Sequence, residues 1–389
     1  MNRRLPARIH ADLGNLTPEV PPDVFSDAFR EACYRLDAFV EGLLVELAAT
    51  LELPHGKPIT AQGLVRSRGW VPGGLLAVEW VLENLELYGR AERRPEGFVV
   101  VPGSATRDPE HIRAEAVQAT GAVAPSFEVM ARSAAALPAV LRGEMRGEDA
   151  LFGPATLTLW FDYFSNANPL YYPNNAITAV AVARHARSGA RLLEVGGGGG
   201  SGAEAVLKAL TQAGRAPSCY CFTELQPAFL RRGTRAARAV APPGCEVTSK
   251  TLDINHIPPI EELGGEPFDV ILGVNTLHLA TDVVTTLTSL RKLLRPGGVV
   301  VIGELMRPAG AGAVHLELPF VLLDSYRDVR LDERIRPRPG FLTVAGWRRA
   351  IAEAGFADSD LIPQAIERCV RGYPGFYAGA AVAHDLVRP

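Results

Sequence analysis

From about residue 190 onward, short apolar runs alternate with amphipathic stretches in the rhythm of strand, helix, strand. RLLEVG, CYCFTE, FDVILGVN and GVVVIGE are nearly continuous apolar segments and predict short strands buried on both faces. The spacing between them predicts helices over 202–214, 227–239 and 282–294, and a third strand is expected to end near TLDINH. Such alternation gives an α/β fold with a Rossmann-like, doubly wound, mostly parallel sheet, whose ligands bind at the carboxyl ends of the strands.

The pattern upstream is different. Residues 21–53 place Phe25, Phe29, Leu36, Phe39, Leu43, Leu44 and Leu47 at helical spacing and predict one or two amphipathic helices. ITAQGLVRSRG follows, with Thr60 as an N-cap, then a break at Gly73–Gly74 and the helical LLAVEWVLENLELYG. In RAERRPEGFVVV, Pro95-Glu96-Gly97 suits a tight turn between two short strands. That order predicts an N-terminal helical, winged-helix domain over residues 1–102. GSATRDPEHI has linker composition, and residues 113–190 are mainly helical apart from a loop at NANPLYYPNN. Residues 103–185 therefore read as a helical linker and lid region before a core spanning 186–389, itself interrupted by a lid insertion at about 312–340.

Charge changes how the winged helix is read. The chain carries a net charge of -3, and its expected recognition helix holds Glu79, Glu83 and Glu86 with no Lys or Arg, which would repel phosphates in a groove. No nucleic-acid partner is expected, and the apolar faces of the N-terminal helices predict a homodimer instead. At 389 residues and 47% hydrophobic the chain can bury a large core, yet no run approaches the roughly 20 apolar residues of a membrane span. MNRRLPARIHADLG lacks the apolar segment of a secretion signal. Cys33, Cys219, Cys221, Cys245 and Cys369 are odd in number and scattered, so reduced thiols and a cytoplasmic setting are expected. His256 and His315 have no partners at ligand spacing, and no metal site is assigned.

The chemistry concentrates in LLEVGGGGGSG, residues 192–202. Gly196, Gly198 and Gly200 fit a G-x-G-x-G loop between strand and helix, where bare backbone approaches a ligand. Glu194 beside the loop would repel a pyrophosphate but suits a ligand with an ammonium group and a sulfonium, the two charges of S-adenosyl-L-methionine. Glu224, closing CYCFTE, can accept from both ribose hydroxyls, and Asp253 is positioned to reach an adenine amino group or to cap a turn.

Glu194 with its glycines, Glu224 and the LRPGG turn (294–298) before VVVIGE resemble the class I methyltransferase pattern over residues 190–304. More narrowly, ALPAVLRGEMRGEDALFG, CFTELQPAFL, TLDI, FDVILGVNTLHLATD, LRKLLRPGG and GWRRAIAEAGF resemble the C-methyltransferase domains of polyketide synthases, over about 125–357. The resemblance implies S-adenosylmethionine as cofactor, with Leu225, Ile254 and Asn275 added to its binding set. It also implies a catalytic dyad of His278 and Glu304: imidazole titrates near neutrality, and a carboxylate at a neighbouring strand end fixes its tautomer. Tyr163, Tyr171 and Tyr172 lie where related domains carry a substrate-facing Tyr, followed by an Asn matched by Asn174 or Asn175. Ser325 and Tyr326 stand where the family's mobile lid commonly has a Trp pair, so the acceptor is expected to be smaller or more polar than a polyketide chain. RDVRLDERIRPRP reads as a solvated lid face, with Arg327, Arg330, Arg334 or Arg336 as candidates for a carboxylate or a carrier phosphate.

The expected function is C-methylation of a small-molecule keto acid or a keto substrate tethered to a carrier protein, with an acyl carrier protein as a partner. The winged helix resembles the dimerising domain of small-molecule O-methyltransferases, which makes methylation of a hydroxyl, with His278 as base, the alternative. A non-enzymatic winged-helix regulator is disfavoured by the acidic helix and the dyad.

Overall fold

The structure is a computed structural model that describes Val24 and residues 26–101, 106–362 and 377–385. Phe25, Cys369, Pro102 and the first three residues of the linker-like segment, 103–105, lie outside the described residues. Seven strands form the central sheet: β3 (Arg191–Val195), β4 (Cys219–Thr223), β5 (Glu246–Lys250), β6 (Phe268–Val274), β7 (Leu294–Leu305), β8 (Asp358–Ile362) and β9 (Ala378–His384). Their order is β5-β4-β3-β6-β7-β9-β8. β3 to β7 run parallel, while β9 is antiparallel to both of its neighbours. The sheet is thus mixed α/β and mostly parallel, and its chain order reverses beside β3, where open α/β sheets bind ligands.

Helices Ser201–Gln212, Pro227–Val240 and Val283–Arg291 connect the strands as their apolar periodicity predicts. Burial on both faces explains why the strands lack polar alternation: Leu192, Leu193, Tyr220, Phe222, Ile271 and Leu272 are all at 0% exposure. LRPGG lies within the bounds of β7 rather than before it, because Phe268 pairs with Leu294 and the register then jumps to Val270 with Val299. The jump absorbs the turn as a bulge. Asp253 sits three residues beyond the end of β5, in the following loop.

In the N-terminal part, helix α1 (Asp27–Thr50) is followed by α2 (Ala61–Arg68), α3 (Leu75–Leu87) and a hairpin of β1 (Ala91–Arg94) and β2 (Gly97–Val100). The Thr60 hydroxyl accepts from the Gly63 N–H at 3.0 Å and caps α2. The acidic face of α3 is explained by contacts within the chain: Glu83 accepts from the Ala313 N–H at 2.6 Å and from Arg338 at 2.8 Å. Trp80 Nε1 donates to the Val314 carbonyl at 2.8 Å from the same helix. Phe29, Leu36, Phe39, Leu43, Leu44 and Leu47 are likewise buried inside this one chain. These apolar positions are therefore covered within the chain, while Leu87 at the end of α3 is exposed.

Further helices (Pro109–Ala119, Ala124–Leu141, Gly147–Phe152, Leu157–Tyr163 and Tyr172–His185) lead to the sheet. The expected loop at NANPLYYPNN ends earlier than its composition suggests. Tyr172, Pro173, Asn174 and Asn175 form the first turn of the last of these helices, where proline forfeits no helical hydrogen bond.

Candidate active site

The parallel strands end along one edge of a cavity of about 920 Å³. Glu194 and Gly196 to Gly199 reach it from β3, Glu224 and Leu225 from β4, Asp253 and Ile254 from beyond β5, and Asn275, Thr276 and His278 from beyond β6. Phe29, Leu36, Met130, Phe320, Leu323 and Phe341 also line it.

The glycine loop has two different jobs. Gly198 sits at φ 55°, where a side chain is strained, and its N–H donates to Glu224 Oε2 at 2.9 Å. Gly200, in contrast, does not line the cavity. A Cβ there would lie 2.7 Å from the Gly233 Cα, so this glycine lets the helix Ser201–Gln212 cross Pro227–Val240 closely. The missing side chain of Gly200 thus serves packing.

Glu194 is 1% exposed and accepts one side-chain hydrogen bond, from the Tyr220 hydroxyl at 2.9 Å. Burial pushes its pKa up to about 8, against the Tyr220 hydrogen bond and with the charge of Glu224 adding to the rise. A cationic ligand entering the cavity would favour the ionised form that burial opposes. Glu224 is half-buried, and its two oxygens accept from the N–H groups of Gly198 and Gln226, both at 2.9 Å. Each oxygen keeps a lone pair for a further donor. Asp253 lines the cavity but accepts locally from the Asn255 N–H at 2.9 Å and pairs with His256 Nδ1 at 2.8 Å. Burial opposes its charged form, yet these partners outweigh burial and lower the pKa.

His278 lies on a short 3-10 turn, Leu277–Leu279, at 5% exposure. Its Nδ1 meets Glu304 Oε2 at 2.7 Å, and its backbone N–H donates to Glu304 Oε1 at 3.1 Å. Glu304 is at 0% exposure behind the imidazole, at the end of neighbouring β7. An ionised carboxylate only accepts, so Nδ1 carries the hydrogen and Nε2 keeps a free lone pair at the cavity wall. Asn275 sets the turn. It adopts φ 49°, donates its N–H to the Gly303 carbonyl at 2.7 Å and accepts from the Leu305 N–H at 3.1 Å, tying the ends of β6 and β7 together.

The tyrosines divide. Tyr163 and Tyr171 line the cavity, and burial raises both hydroxyl pKa values, with a hydrogen bond to Asn275 opposing the rise at Tyr171. Tyr172 is not among the lining residues; it is partly buried and packs against the hydrophobic core around the sheet. Tyr326 is behind the wall too, edge-on to His278 with centroids 6.0 Å apart. Its hydroxyl donates to Glu317 at 2.8 Å, and Glu317 is the buried partner of Arg307. Tyr326 therefore anchors the expected lid segment, whereas its neighbour Ser325 faces the cavity. Three of the lid arginines are occupied elsewhere, Arg327 with Asp324, Arg330 with Asp282 and Arg334 with Glu353, while Arg336 is 1% exposed, donates Nη1 to the Ala280 carbonyl and leaves Nε and Nη2 without a hydrogen-bond partner among the described residues. His315 also lines the cavity, 1% exposed with no partner for Nε2 among the described residues. Burial lowers its pKa, and nothing in AGAVHLELPF marks this histidine as a wall of the cavity.

Residues 193–300 match the family described as Methyltransferase domain. The chain is 31% identical over 234 residues to the polyketide synthase ThaQ of Burkholderia thailandensis, covering 57% of this chain and 11% of that one. It spans only about a tenth, or less, of the length of the first curated relatives it matches. Among solved structures, the CurJ carbon methyltransferase shares the fold with a TM-score of 0.72, at 21% identity and 97% coverage of both chains. The trans-methyltransferase CalH, in complex with SAH, follows with a TM-score of 0.59, 21% identity and coverage of 91% of this chain and 90% of that one. Residues 193–300 thus match a methyltransferase domain, and the chain shares the fold of these solved methyltransferases, a mostly parallel sheet preceded by a helical N-terminal part.

Proposed function

We propose that the chain is an S-adenosylmethionine-dependent C-methyltransferase of specialised metabolism, acting on the activated carbon of a keto acid or of a ketoacyl group held by an acyl carrier protein. The observation that carries this reading is the buried pair of Glu304 and His278, with Nδ1 engaged at 2.7 Å and His278 lining the cavity beside the glycine loop. Carbon as the accepting atom is supported by the likeness to a polyketide synthase and to carbon methyltransferases.

The residues fit the cofactor. Glu194 would take its ammonium group, Glu224 its ribose hydroxyls, and Gly196, Gly198, Leu225, Asp253, Ile254 and Asn275 the remaining contacts. When bound, S-adenosylmethionine supplies the electrophilic methyl group. His278 removes the carbon-bound proton at Nε2, leaving an enolate on the acceptor. Glu304 holds Nδ1–H and stabilises the imidazolium that forms. Phe320, Leu323 and Phe341 keep water from the enolate, and Tyr163 and Tyr171 are the tyrosines left to face the acceptor. The order of three helices and a hairpin in residues 27–100 supports reading this part as a winged helix used as a cap.

Incubation with candidate keto acids and a methyl-labelled donor tests the reading by product NMR. A new methyl on carbon is expected. A methoxyl resonance would instead assign a hydroxyl acceptor, with His278 still the base.

A further inference from the structure

We propose a divalent transition-metal site, separate from the cavity, formed by His185, Asp360 and His384. Three elements converge there: His185 ends the helix Tyr172–His185, Asp360 lies in the middle of β8, and His384 ends β9. Asp360 pairs across the ladder with Val382, so His384 is its diagonal neighbour on the same sheet face. His384 Nε2 meets Asp360 Oδ2 at 3.0 Å, and the His185 ring stands edge-on to that of His384 with centroids 5.1 Å apart.

One ligand atom from each residue falls within 4.8 Å of the other two. Zinc bound tetrahedrally at about 2.0–2.1 Å holds its ligands about 3.3 Å apart. The His384–Asp360 pair, at 3.0 Å, is close to that spacing, and His185 needs to close by at most about 1.5 Å, a rotamer-scale movement. A second observation points the same way. His185 Nε2 is buried without a hydrogen-bond partner among the described residues, an uncompensated desolvation that a metal bond would relieve. Arg184 alongside opposes a cation, and the Asp360 carboxylate offsets it.

The donor set selects the ion. Two imidazoles and one carboxylate suit Zn²⁺, Co²⁺ or Ni²⁺ and disfavour Mg²⁺ or Ca²⁺, which take oxygen ligands. Asp360 is 60% exposed, so solvent can reach the site and supply a fourth ligand. An ion here would pin the end of a helix, whose first turn carries Asn174 and Asn175 at the cavity, to β9, the strand that pairs with Glu304 through Gly379.

Full-length protein stripped with a chelator and titrated with Zn²⁺ by calorimetry tests the site, with Co²⁺ absorption as the structural readout. One equivalent is expected to bind, to raise the melting temperature, and to give a Co²⁺ spectrum of nitrogen and oxygen ligands without a thiolate charge-transfer band. Changes outside a metal's direct ligands cost about 10–100-fold in affinity, so His384→Gln and Asp360→Asn should each cost at least about that. Methyl transfer by Asp360→Asn should be unchanged, which keeps this outcome independent of the proposed reaction. Unaltered affinity in both variants, a thiolate band, or binding so weak and non-stoichiometric that it marks an adventitious ion only, would overturn the proposal. If a variant fails to fold, the wild-type Co²⁺ spectrum decides.

Discussion

Replacing Glu194 with glutamine keeps the side chain's shape and an oxygen to accept from Tyr220 but removes the ionisable group. In the ligand-free protein, burial pushes this carboxyl from its ordinary 4.5 up to about 8. The folded state therefore holds the proton more tightly than the unfolded chain does. The stability this contributes is fully present below about pH 4.5, falls as pH rises, and is lost above about pH 8. At about 1.36 kcal/mol per pH unit, the cost at pH 9 is on the order of 5 kcal/mol. Glu194→Gln lacks that cost, so chemical denaturation across pH 5 to 9 should show the variant gaining on the wild type, by several kcal/mol at the alkaline end. Cofactor binding should move in the opposite sense. A cationic ligand needs the ionised carboxylate, so wild-type affinity should fall up to about tenfold for each pH unit below 8, while the variant binds weakly and without this dependence. Parallel stability curves together with unchanged affinity for S-adenosylmethionine would refute the assignment of Glu194.

Glu224→Ala should weaken S-adenosylhomocysteine binding by about tenfold or more, since charge-assisted hydrogen bonds are worth about 1.5–3 kcal/mol each; calorimetry with unchanged affinity would remove Glu224 from the site. Glu304→Gln should slow turnover, and combining it with His278→Ala should be scarcely worse than the worse single variant because the two act as a unit; additive losses measured by steady-state kinetics would argue against a dyad. The described residues bury the apolar faces of α1 and α3 within one chain. Light scattering of the full chain tests the expected homodimer, which would have to use a surface other than these covered positions; a monomer would defeat it.

How much of this was legible depended on the range of the contacts. The strands that carry Glu194 or lead into Glu224 and Asn275 show in the sequence because each is an apolar run with a polar residue at its carboxyl end, a local signal. That β6 and β7 are neighbours follows from the parallel-sheet pattern, which is why His278 and Glu304 were candidates to meet. The acidic face of α3 was harder, since Glu83 finds Ala313 and Arg338 across more than two hundred residues, and helical spacing says only that the face is acidic. The tyrosines show the same limit. Composition identifies Tyr163, Tyr171, Tyr172 and Tyr326 equally, but Glu317 captures the Tyr326 hydroxyl and a helix start turns Tyr172 away. His315 gave no signal, because its place on the wall depends on how the lid folds back.

The central claim is that Nε2 of His278 removes a proton from carbon. Incubating the enzyme with acceptor in heavy water and S-adenosylhomocysteine, which blocks methyl transfer, measures that step alone. Wild type should exchange the acidic C–H faster than buffer does, and His278→Ala should reduce the enzymatic rate by roughly 100-fold to 10,000-fold while still binding S-adenosylhomocysteine. Exchange that persists undiminished in His278→Ala would contradict the account.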